Sequence, residues 1–156
     1  AVPPYLPQAG EALPQGAVDI QQDRFQLFHP GEWVDLVDDP AASDGKAARL
    51  PGGHTEWAVQ FHIPEAAPEF DGGPWRCYFV CRLDAATKAG TALQYGVYPG
   101  PINGAGFDLA DDEYHAYGAY VGELKPGAYL WISPPGNANL NALLVDRIYL
   151  LRGATE

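Results

Sequence analysis

The chain has 156 residues, 47% of them hydrophobic, which suits one domain with a substantial core and argues against disorder despite 15 Pro and 18 Gly. Nine Lys+Arg stand against 20 Asp+Glu, a formal charge of −11. That balance excludes nucleic acid and anionic membrane surfaces as partners, since both select basic patches, and it leaves carboxylates to spare for a hard cation such as calcium.

Residues 1–17 are Pro-rich and aperiodic and read as an extended lead-in or linker, so the domain is expected over 18–156. The start at Ala1 lacks a basic and then apolar leader, and Met is absent throughout, as expected of a processed or excised segment. No run of 18 apolar residues is present, so no membrane-spanning helix is expected. Strand candidates then follow at 18–28, 33–38, 46–50, 56–63, 75–85, 91–99, 114–124, 128–133 and 142–152, separated by Gly and Pro turn signals. No segment carries a helical period. Nine short runs at this spacing predict an all-β fold, a two-sheet antiparallel sandwich of the jelly-roll kind.

Alternation orients several of these strands. Over 56–63, Trp57, Val59, Phe61 and Ile63 face one way while Glu56, Gln60 and His62 face the other. Over 75–83, Cys77, Phe79, Cys81 and Leu83 point inward and Arg76 and Arg82 outward. Cys77 and Cys81 lie about 13 Å apart along one strand, at ~3.3 Å per residue, too far to bridge; they read as buried thiols. Tyr114 and Tyr120 share one face of their strand and Tyr117 takes the other.

Carboxylates break the apolar pattern in two places. By strict alternation Asp146 shares a face with Leu144, Ile148 and Leu150, and Gln21 and Asp23 share one with Phe25 and Leu27. A charge facing a core is costly unless it is paired or bound to metal. Should the first and last strands lie side by side, these acids would repel without a cation between them. The loop between them, Asp38–Arg49, offers Asp44 and backbone carbonyls as further oxygen ligands.

The order of these segments carries a resemblance. An acid-bearing first strand with Gln21 and Asp23 is followed by Ala42–Arg49, an Arg-containing strand Tyr78–Leu83, and the closing run Asn137–Leu151. This resembles the galactose-binding-like jelly rolls, especially carbohydrate-binding modules of families 6 and 35, and the domains appended to bacterial glycoside hydrolases. The resemblance implies a structural calcium held by Asp23, Asp44 and Asp146 with Gln21, the last standing where the family has a second acid. It implies a sugar site in loops at one end of the sandwich, which maps onto Asn137, Asn139 and Asn141. It further implies a secreted, periplasmic or cell-surface bacterial protein tethered to a catalytic domain, with a polysaccharide or oligosaccharide as its partner.

A pyranose presents an apolar C–H face and a rim of hydroxyls, so its binder needs an exposed aromatic and a few planar amides or charged groups. Trp57 and Trp131 lie within strands and read as core. Trp33, at a strand start, and Tyr98, leading into the Gly-rich stretch that holds Asn103, read as platforms. The four histidines show no zinc-hydrolase spacing, and neither a nucleophile elbow nor a phosphate loop is present. A non-catalytic binding module is therefore expected. The alternatives are a structural or protein-interaction jelly roll of a larger glycoside hydrolase and, behind it, a small polysaccharide lyase or hydrolase built on paired carboxylates.

Overall fold

In the computed structural model of the chain, residues 16–51, 58–64, 70, 74–85, 91–98, 102–109, 112–133 and 142–152 are described. The alternating segments form strands β1 (Val18–Gln21), β2 (Gln26–Leu27), β3 (Asp35–Asp38), β4 (Lys46–Leu50), β5 (Val59–His62), β6 (Trp75–Leu83), β7 (Thr91–Tyr98), β8 (Asn103–Leu109), β9 (His115–Gly122), β10 (Tyr129–Ser133) and β11 (Leu143–Arg152). They make two antiparallel sheets. The first runs β3-β4-β11-β6-β9, with β1 also paired to β11, and the second runs β2-β5-β10-β7-β8. This is the expected two-sheet sandwich.

The inner faces meet in one core. Cys77, Phe79, Cys81 and Leu83 of β6 and Val145, Ile148 and Leu150 of β11 pack against Val59, Phe61, Leu93, Tyr95, Leu130 and Ile132 of the second sheet. Both cysteines are free and fully buried there, and burial pushes their thiols up. The middle of β6 is apolar on both faces because a second cluster covers the outside of the first sheet: Tyr78 and Val80 pack with Ala42, Ala47, Tyr114, Ala116, Leu144 and Tyr149.

Two features depart from the sequence reading. The 18–28 run is not one strand, because a 3-10 turn at Gln22–Arg24 divides β1 from β2 and sends them to different sheets. Gln21 and Asp23 therefore do not share a face with Phe25 and Leu27. Secondly, the Gly-rich stretch read as a loop after Tyr98 contains a strand, β8, paired with β7 from Thr91↔Leu109 to Gly96↔Asn103. Asn-Gly-Ala-Gly has poor strand propensity, and the cross-strand ladder overrides it.

Alternation also fails at Asp146. The register of β11 against β6 slips between Val145 and Arg147, a β-bulge with Asp146 as the extra residue. Leu144 accordingly faces the outer cluster while Ile148 and Leu150 face the core, so Asp146 does not continue a common face with all three. The bulge also changes neighbours: β4 pairs with β11 over Leu143–Val145 and β1 over Arg147–Leu150.

Candidate functional site

Two regions concentrate polar groups. The first is the junction of β1, β11 and the loop between β3 and β4. Antiparallel pairing sets Gln21 opposite Arg147 and Asp19 opposite Tyr149. The loop swings Ser43 onto the bulge, where its N–H donates to Asp146 Oδ2 at 3.1 Å and its hydroxyl to Oδ1 at 2.9 Å. Gln21 Nε2 donates to Asp19 Oδ2 (3.1 Å) and to Ser43 Oγ (3.3 Å), and Arg147 Nη1 lies 3.5 Å from Asp19 Oδ2. Burial raises the Asp146 carboxyl, against the lowering effect of the two Ser43 bonds.

The loop itself is held by a second buried acid. Asp39 Oδ2 accepts from Arg82 Nη2 (2.9 Å), Arg82 Nε (3.2 Å) and the Tyr114 hydroxyl (2.7 Å), while Oδ1 takes the Ala41 N–H. Burial opposes ionisation of Asp39, but the Tyr114, Ala41 and Arg82 donors outweigh it and hold the carboxyl below its usual range. Two of these donors, Arg82 and Tyr114, thus tie the loop to β6 and to the approach of β9. Alternation and spacing carried no sign of this network.

The second region is the outer face of the second sheet. Since Leu130, Ile132, Phe61, Leu93 and Val97 point inward, the intervening residues Tyr129, Trp131, Ser133, Gln60, His62, Gln94 and Tyr98 point away from the core. Cross-strand registers align them in rows: His62–Tyr129–Tyr98, then Gln60–Trp131–Gly96, with Gln26 beside Gln60 and Asn103 beside Gly96. Gly96 is needed here, because a Cβ on it would meet the Trp131 indole at 2.5 Å. Gln60 donates its amide N–H to the Gln26 side-chain oxygen. His62 and Tyr129 stack at 4.6 Å. Tyr98 stands 57% exposed at the end of its strand, whereas Trp131 is 7% exposed. None of the described side chains in these rows carries a formal charge with His neutral, on a chain with 20 Asp+Glu and 9 Lys+Arg.

Of the residues singled out as ligand binding, Tyr98 and Asn103 therefore come together at this end of the second sheet, Asn103 by its place on the backbone. Asn137, Asn139 and Asn141 lie outside the described residues. The segment carrying them leaves β10 at Ser133, which pairs with Gln94, while Tyr98 pairs with Tyr129 four residues away, about 13 Å along the strand. Trp33 belongs with the far end: it sits two residues before Asp35, whose partner Arg49 adjoins Leu144 at the start of β11. It is half-buried against the core, with its ring 4.1 Å from that of His29. Of the described candidates, Tyr98 and Asn103 thus fall at one end of the sandwich and Trp33 at the other. Trp131, read as core, is indeed buried, on the side of β10 that faces away from the inter-sheet core.

Of the residues singled out for a metal, Gln21 and Asp146 meet through Ser43. Asp23 lies exposed on the 3-10 turn, and exposed Asp44 accepts the Lys46 N–H. Among the described residues no three Asp, Glu, His or Cys side chains gather to hold a metal ion. Asp19, two residues before Gln21 on β1, is the acid that does reach this junction. Its signal was present in the sequence: it sits on the same side of β1 as Gln21.

No protein-family model matches the chain, and no curated protein matches it. Solved structures share its fold. The CBM36-1 domain of a multidomain xylanase from the hindgut metagenome of Trinervitermes trinervoides superposes with a TM-score of 0.63 at 11% identity, over 89% of this chain and 99% of that one. A family 35 carbohydrate-binding module from Clostridium thermocellum gives 0.59 at 19% identity, over 86% and 96%. TmCBM61, solved in complex with β-1,4-galactotriose, gives 0.53 at 16% identity, over 85% and 91%. The architecture is that of the carbohydrate-binding jelly rolls.

Proposed function

We propose that this domain is a non-catalytic carbohydrate-binding module that holds an uncharged polysaccharide against the His62–Tyr129–Tyr98 end of its second sheet, as part of a larger secreted glycan-degrading enzyme. One observation carries the reading: the rows His62–Tyr129–Tyr98 and Gln26–Gln60–Trp131 are built of amide and aromatic side chains without formal charge, on a strongly acidic chain, and end in an exposed tyrosine. A sugar's C–H face stacks on the Tyr98 ring, and its hydroxyl rim finds planar amides and the polar atoms of His62 and Tyr129. The Gln60–Gln26 bond fixes one amide so that its partner is presented in a set orientation. Trp131, seated on Gly96, flanks the row on the same face. The sugar-binding descriptions of the structural neighbours support this reading, one of them with a bound galactotriose.

The test is binding to a panel of plant and algal polysaccharides, with reducing-end assays alongside. Affinity for at least one neutral glycan without product release is expected. Tyr98→Ala should weaken it about tenfold, roughly 1.4 kcal/mol, with an unchanged melting temperature. Binding of no glycan, or release of product, would overturn the proposal.

A further inference from the structure

We infer that Arg147 is the resident cation of the β1–β11 junction, occupying the role that the family resemblance assigns to calcium, so that this fold closes without a divalent ion. Both carboxylates at the junction are already provided with donors. Each Asp146 oxygen accepts from Ser43, and Asp19 Oδ2 takes the Gln21 amide with the Arg147 guanidinium 3.5 Å away. The Arg147 side chain is only 5% exposed. It is held there by strand register, since the bulge at Asp146 turns position 147 toward β1.

The atoms left over at the junction decide between a metal and an arginine. Asp19 Oδ1 and Gln21 Oε1 are buried acceptors without a hydrogen-bond partner, and Arg147 Nε and Nη2 are buried donors without one. Calcium takes six to eight oxygens and no N–H groups. It would satisfy the two acceptors, leave the two guanidinium donors as they are, and bring a double positive charge beside a buried single one. A mixed set of donors and acceptors around an internal ion pair is instead what bridging water satisfies.

The experiment is thermal unfolding of the whole chain in excess EDTA and in excess calcium chloride, with calorimetric titration of calcium chloride into the EDTA-stripped protein. The wild-type midpoint should be the same in both solutions, and the titration should show no binding heat. Arg147→Gln, which leaves Asp19 and Asp146 without an internal cation, should lower the midpoint in EDTA and recover part of the loss in calcium. A wild-type midpoint that falls in EDTA, or calcium binding by the wild type as tight as by R147Q, would overturn the inference. The wild-type measurements decide even where R147Q does not fold.

Discussion

Asp39 shows how one buried acid organises a loop that strand patterning leaves blank. A carboxylate 4% exposed survives because Arg82, Tyr114 and the Ala41 N–H all point at it. Tyr114→Phe removes one charge-assisted bond and should cost about 2 kcal/mol in denaturant unfolding. Because the folded-state carboxyl lies below its ordinary value near ~3.9, its contribution is complete above that value and is lost as pH falls through the folded one. The stability gap between wild type and Asp39→Asn should therefore be wide at neutral pH and close in acid; a gap that does not change with pH would refute the assignment. From sequence, Asp39 was one of several acids in a polar stretch. Its partners are 43 and 75 positions away, which no local spacing can report.

At the scale of the element, two glycines are set by what lies across the sheet. Gly96 faces the Trp131 indole and Gly118 faces the Tyr78 ring, in both cases with a Cβ contact of 2.5 Å. Gly96→Ala and Gly118→Ala should each cost about 1–3 kcal/mol by overpacking. The consequences separate: only Gly96→Ala displaces the ring beside the proposed glycan site, so only it should also weaken glycan binding. Alternation identified the inward faces of β5 and β6, which pack in the core. It failed at β8, where glycines hide a strand that pairing creates, and at β11, where a single inserted residue reverses the faces of everything after it. A bulge is a property of the ladder between two strands, and no one segment encodes it.

For the whole molecule, the core is closed by strands distant in sequence: β11 pairs with β1, β4 and β6, and so joins the beginning, middle and end of the chain in one sheet. Cys77 and Cys81, fully buried on the strand at the centre of that arrangement, report on its opening. Burial raises both thiols, so a thiol reagent at neutral pH should react at the rate of unfolding, and with two equivalents once denaturant is added. Rapid labelling of the native protein would contradict the packing. The sequence by itself determined the fold class, most strand positions and the buried unpaired thiols, because a two-residue period and turn residues are local quantities read along the chain. Only the tertiary structure decided which acid meets which cation and which aromatic stands exposed. It put Asp19 rather than Asp23 at the junction, beside Arg147, and divided Tyr98 from Trp33. Those outcomes depend on register, a bulge and loop closure, which exist only once separate strands have paired.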